Sequence, residues 1–263
     1  MRIVLLLAFL LPGPVIAQGA VDEIQITTQV AFPTPVGAAT SKTVLIQDQI
    51  GFLSRRVLAA VNSEGVSALS ALGDQTFYVP QISFEYQDLN FLSGDIVNAT
   101  GPNLARADGL NVERPFSRSD GVAAMSVEPN GLFIVPARTV RILQFVGSPR
   151  TVIRSQNGSI TPYFDGAAAG IPKNVSITAL EILSGGELLL SFDTSFVWAG
   201  LTVRPGDIIW HDGSGDSSPK QFLPRAQVLG PCQSCVITGM SAEVNSDVIF
   251  RTSFFDTWGE EQP

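Results

Sequence analysis

The sequence has little of what enzyme chemistry most often uses: one histidine, two cysteines, three tyrosines and three tryptophans in 263 residues. A single imidazole, His211, excludes any cluster of histidine metal ligands. Two cysteines, in PCQSCV, exclude a disulfide-rich scaffold and fall short of a zinc set, since only His211 and carboxylates remain to complete it. The 16 basic residues are outnumbered by 24 acidic ones and lie scattered, giving a formal charge of −8. A phosphate backbone needs a clustered positive face, so nucleic acid is excluded as a partner. No G-x-S-x-G element is present to seat a serine nucleophile on a strand-to-helix turn. Nor does any apolar stripe keep the helical period long enough to mark a major helix.

The one conspicuous apolar run comes first. MRIVLLLAFLLPGPVIAQGA has an Arg before a stretch too short for a bilayer, followed by Pro12, Gly13, Pro14 and small residues at cleavage spacing. This predicts a signal peptide over 1–17, with Ala20 as the second choice of cleavage site, and a mature chain of 18–263 with no membrane span. Localisation is then periplasmic or extracellular. In that oxidising setting Cys232 and Cys235 are expected to form a disulfide. A redox-active pair would want a helix N-terminus, whereas Pro231 precedes and the strand-like VITGM follows. Asn98, Asn157 and Asn174 fit the N-glycosylation pattern, which only a host with that machinery would use.

What the chain has in quantity is a repeat. VSAL at Val66, VAAM at Val122, ITAL at Ile177 and ITGM at Ile237 share one pattern, at intervals of 56, 55 and 60 residues. Eleven positions after each anchor comes an apolar triplet: Phe77-Tyr78-Val79, Phe133-Ile134-Val135, Leu188-Leu189-Leu190 and Val248-Ile249-Phe250. Turn residues (GDQ, PNG, SGG, VNS) separate anchor from triplet. Each unit therefore begins with a hairpin whose second strand is apolar on both faces, as a strand buried between layers must be. A third element recurs as GDIV from Gly94, RTVI from Arg150 and GDII from Gly206, while KTVLIQ from Lys42 supplies the copy that the fourth unit lacks. The expected fold is all-β: a small β-propeller of four blades, the last closed by N-terminal strands. EIQITTQVAF adds a strand to that sheet or opens a fifth unit. Five blades, or two β-sandwich domains, are the alternatives. QIGFLSRRVLAAV, the one place with room for a short helix, reads as strand or strand-to-turn.

ITALEILSGGELLLSFDTSF followed by RPGDIIWHDGSG resembles repeat units of exported bacterial β-propeller-like proteins, mostly of unknown function. The resemblance implies an architecture and brings no catalytic motif.

Candidate chemistry concentrates in WHDGSGDSS. His211 needs a serine and a carboxylate in space to act in a triad, and otherwise reads as a solvated loop residue. Asp212, Ser214 and Asp216 alternate around glycines, an incomplete calcium loop without the distal bidentate Glu of an EF-hand; calcium is the one cofactor the sequence suggests. Trp210 and Trp198, with His211, are the candidate ligand-binding residues, since indole rings stack on sugars. Asp95, Thr151 and Asp207 occupy matching places before the third strand, where a side-chain oxygen would accept backbone N–H groups. The polar insert Thr100–Asp120 reads as a recognition segment or as a fourth strand with loose connections. The expected function is a non-catalytic exported binding or scaffold protein that meets a protein or glycan through blade-end loops. A secreted carbohydrate-active hydrolase or lyase, and a structural envelope component, are the alternatives.

Overall fold

The computed structural model describes residues 21–29, 31–34, 37–40, 43–47, 52–58, 65–99, 104–107, 115–129, 131–214, 217–230, 232 and 235–244. The expected leader and the triplet at 248–250 lie outside these residues. The regular structure of the described residues is almost all strand, apart from a single turn of α-helix at Arg225–Val228 and one of 3-10 helix at Arg118–Asp120.

Sixteen strands form four antiparallel four-stranded sheets. Sheet A takes Val66–Leu72, Gln75–Pro80, Val97–Asn98 and Ala105–Arg106 in that order. Sheet B takes Val122–Glu128, Gly131–Pro136, Thr151–Gln156 and Ser159–Asp165. Sheet C takes Ile177–Ile182, Leu188–Phe192, Ile208–His211 and Lys220–Leu223. Sheet D joins distant parts of the chain: Ile237–Val244 pairs with Val21–Thr28, which pairs with Thr43–Gln47 and then Phe52–Val57. The strand beside Ile237–Val244 is thus the one from EIQITT, which joins sheet D between that strand and Thr43–Gln47.

The repeat has a structural cause at each letter. In all four sheets the pairing slips by one residue just after the anchor, so Ser67, Ala123, Thr178 and Thr238 sit at a β-bulge. A bulge re-aims the chain and favours a small side chain, hence the small or hydroxyl second letter. The register differs in one unit: Leu69 faces Tyr78 and Met125 faces Ile134, but Leu180 faces Leu190. The third turn is one residue longer, so the gapless alignment of the triplets is displaced there by one.

Four apolar clusters hold the sheets together, each shared by two of them. Phe77 and Val79 of sheet A meet Met125 and Ile134 of B; Phe133 and Val152 of B meet Leu180 and Leu190 of C. Leu189 and Ile208 of C meet Ile24, Ile26 and Met240 of D, and Val44 of D meets Leu69 and Tyr78 of A. Every sheet is therefore covered on both faces. This is why the second strands are apolar at consecutive positions, with Phe77, Tyr78 and Val79 all fully buried. At the D–A contact the third letter is Gly239 instead of alanine, because a Cβ there would lie 2.5 Å from both the Cβ and the backbone N of Leu69.

A side-chain oxygen fixes the start of each third strand. Asp95 accepts the N–H of Leu92 at 2.9 Å, Thr151 that of Ser148 at 3.2 Å, Asp207 that of Arg204 at 2.8 Å, and Thr43 that of Thr40 at 3.0 Å. All four are buried, and Asp207 also takes the N–H of Arg225 at 2.7 Å, setting the entrance to the short helix. The carboxylates are thus structural, as their place in the repeat implied.

Cys232 and Cys235 are disulfide-bonded with Cα atoms 5.5 Å apart, and Cys235 lies in the C–D core. Removing a cross-link that closes so short a loop is expected to lower stability by about 2 kcal/mol. Urea unfolding of the Cys232→Ala/Cys235→Ala variant against the oxidised parent measures it, and no change in midpoint would mean that the bond constrains nothing.

Candidate functional site

The first strands of the four sheets carry one polar side chain at the same place, four residues past the anchor: Ser70, Ser126, Glu181 and Ser241, all buried. These side chains stitch neighbouring sheets. Ser70 Oγ accepts the N–H of Val127 at 2.9 Å, and Ser126 Oγ accepts that of Ile182 at 3.2 Å. At the third position Glu181 stands where the others have serine. Its Oε1 accepts from the Ser241 hydroxyl at 3.4 Å, and the N–H of Ala242 bears on the same carboxyl.

A longer acid at a serine position reaches further, into a cavity of about 600 Å³ bounded by the C-terminal ends of all four first strands, at Leu72, Glu128, Ile182 and Ala242. Those strands consequently run the same way, and their turns gather at one end of the molecule. Glu23, Asp74, Glu128 and Glu181 line the cavity with Gln25, and no basic residue is among its described lining. Glu181 is only 7% exposed. Burial pushes its pKa up to about 8, and the Glu128 charge pushes the same way, against the pull of Ser126, Ser241 and the Ala242 N–H. Glu128 is itself held above the usual carboxylate range by burial, which outweighs the nearby Arg154 guanidinium. Among the described residues Glu181 Oε2 and Gln25 Oε1 have no hydrogen-bond partner, while Gln25 Nε2 donates to Glu23 Oε1 at 2.9 Å.

The residues singled out in the sequence are used differently. His211 is fully buried, not solvated: its ring stacks on Trp198 at 5.1 Å and meets Phe164 edge-on at 5.1 Å. Nδ1 accepts the N–H of Gly213 at 3.0 Å, so the ring proton sits on Nε2, 3.2 Å from Ser217 Oγ. Ser217 and Asp212 do gather at His211, yet a triad needs Nδ1–H directed at the carboxylate and a bare Nε2 to take the serine proton. Here Asp212 Oδ1 is 3.9 Å from a nitrogen already occupied as an acceptor. Burial lowers the imidazole pKa despite Asp212, keeping the ring neutral in the core. The arrangement is a packed, tautomer-fixed structural histidine.

Trp198 is buried with its Nε1 donating to Ala169 O at 2.7 Å, so it offers no face to a ligand. Trp210 is half-buried, and Lys220 Nζ lies 5.2 Å from its ring centre. Asp212 Oδ1 accepts the N–H of Ser214 at 2.8 Å, closing an Asx turn. Asp216 lies outside the described residues. Among the described residues no three His, Cys, Asp or Glu side chains converge as a metal centre would. The segment Thr100–Asp120 contains the fourth strand of sheet A at Ala105–Arg106; positions 100–103 and 108–114 lie outside the described residues.

Two features escaped the sequence reading. One is Glu181, signalled by the fifth letter of the repeat, which reads Ser, Ser, Glu, Ser. The other is a set of four small hairpins inserted between the second and third strands: Phe32–Thr34 with Gly37–Ala39, Phe84–Tyr86 with Leu89–Phe91, Val140–Ile142 with Phe145–Gly147, and Phe196–Trp198 with Leu201–Val203. Because they follow the second strands, they emerge at the end opposite the acidic cavity.

No protein family and no curated protein matches the chain. Solved structures resemble it weakly. The extracellular domain of a hybrid two-component system from B. thetaiotaomicron aligns with a TM-score of 0.30 and 9% identity, over 82% of this chain and 35% of that one. A nidogen/laminin complex gives 0.32 and 12%, over 77% and 61%. A catalytically inactive virginiamycin B lyase from Staphylococcus aureus, solved with quinupristin, gives 0.32 and 10%, over 76% and 57%. The chain thus spans between about a third and three fifths of the length of these proteins. Such scores transfer neither a site nor an activity.

Proposed function

We propose that the chain is an exported, non-catalytic binding scaffold, a four-bladed propeller that meets a protein partner with its hairpin end. Four sheets whose cores are shared in the cyclic order A, B, C, D, A support the propeller, and a disulfide in a chain with an apolar leader supports export. Among the described residues no helix is long and apolar enough to cross a membrane.

The observation that carries the binding reading is where the exposed apolar side chains lie. Ile82, Leu89, Leu92, Leu143, Val146 and Val197 are the large exposed hydrophobics among the described residues, and all lie on or beside the small hairpins. Scattered apolar residues on a surface need no explanation, but their confinement to one end of a rigid frame does. Leu143 is the sharpest case: it is 78% exposed at a hairpin tip and has φ of +44°. Asn or Gly normally takes that backbone region, and a bulky residue held there at an exposed tip supports the reading.

A photoreactive side chain in place of the exposed Gln144, beside Leu143, is the test, with Asn157 in a turn of the opposite end as control. A discrete protein adduct from position 144 alone, whose isolated partner then loses affinity for Leu143→Asp, is the expected result. Adducts from both positions alike, or from neither, overturn the reading.

A further inference from the structure

The acidic cavity at the other end is a second site, independent of the hairpin surface. Three observations define what it accepts. First, its described lining is acidic: four carboxyl groups and no cationic side chain stand in it. Second, it holds two buried acceptors without partners among the described residues, Glu181 Oε2 and Gln25 Oε1. A buried acceptor left unpaired is destabilising, and both side chains line the same half-open cavity, so a ligand bearing several N–H donors is suited to relieve them. Third, the carboxyls do not converge as metal ligands do, and a cavity of about 600 Å³ is far larger than a bare ion. The Glu181 carboxyl has only Oε2 open, because Oε1 accepts from Ser241. A guanidinium would use both oxygens as a fork, whereas an ammonium is a point charge with three donors and needs one.

We propose that this cavity binds an organic cation through a primary ammonium group seated at Glu181 Oε2 and Gln25 Oε1, with Glu23, Asp74 and Glu128 supplying charge around it. The ammonium belongs either to a free polyamine or to a lysine side chain of a peptide. Ser126, Ser241 and the Ala242 N–H then support the Glu181 anion that the cation draws out, while Glu128, beside Arg154, keeps the field at the rim negative.

Calorimetric titration of the full chain with spermidine, Nα-acetyl-lysine amide, its Nε-acetylated form and calcium chloride tests this. One or both amines bind at a pH above that of Glu181 ionisation, and affinity falls about tenfold for each pH unit below it. The Nε-acetylated form does not bind. Glu181→Gln weakens amine binding by at least about tenfold, as loss of a charged hydrogen-bond partner does, while Asp88→Asn on a hairpin at the opposite end leaves it unchanged. Binding of spermidine alone identifies a free polyamine as the ligand; binding of the lysine amide identifies a peptide side chain. No amine binding, calcium binding as tight as that of the amines, or an unaltered Glu181→Gln overturns the site. Should Glu181→Gln not fold, Glu128→Gln carries the same test at the rim: several-fold weaker amine binding supports the site, and unchanged binding overturns it.

Discussion

Gly239→Val is expected to lower the free energy of unfolding by about 4 kcal/mol or more, the range reserved for substitutions that force backbone apart. A Cβ at 239 meets Leu69 Cβ and N at 2.5 Å and Thr27 Oγ1 at 2.8 Å. Two of those atoms belong to the first strand of sheet A and one to the second strand of sheet D, so no side-chain rotation clears the overlap. The matching residues Ala68, Ala124 and Ala179 each carry a Cβ, whereas at the D–A contact the packing leaves no room for one. Urea unfolding compared with Ala124→Gly reads the effect: the latter loses one buried methyl group, about 1 kcal/mol. A loss of under about 1 kcal/mol for Gly239→Val would show that sheets D and A part without penalty and that the cyclic packing does not hold the molecule together.

The repeat was legible because it records backbone demands that recur in each unit. A β-branched anchor, a small bulge residue, a tight third position and an apolar second strand follow from one geometry used four times. The small hairpins were not, for their strands are three residues long and bury alternate side chains only, as Leu201, Thr202 and Val203 do; no periodicity can emerge over so few positions. His211 misled because WHDGSG has the composition of a loop, whereas the ring points back from the strand end between Phe164 and Trp198. An Asx turn such as that at Asp212 and a cation loop read alike in sequence, because both use short oxygen side chains around glycine. Glu181 was within reach: serine at the fifth repeat position in three units makes a glutamate in the other an anomaly, and anomalies in a repeat mark places where structure alone does not set the residue.

That anomaly has a thermodynamic signature that precedes any ligand. Glu181 titrates at about 8 when folded and near 4.5 when exposed, so between those values the folded protein holds a proton that the unfolded chain has lost. The contribution of Glu181 is complete below pH 4.5 and is lost as pH rises through 8, on the order of 5 kcal/mol over the window. His211 acts with the opposite slope and at lower pH: its pKa is lowered on folding, so its contribution is present above about 6.5 and declines as pH falls. The two are separated by a difference measurement. Stability of Glu181→Gln relative to the parent, by urea unfolding from pH 5 to 9, cancels the histidine and isolates the carboxyl. Gln reproduces the shape of the neutral acid, so the variant should lie close to the parent near pH 5, exceed it increasingly up to about pH 8 and hold that difference to pH 9. A constant difference across the range would mean that Glu181 ionises as readily in the fold as in water, and that the buried serine-lined position does nothing to hold its proton.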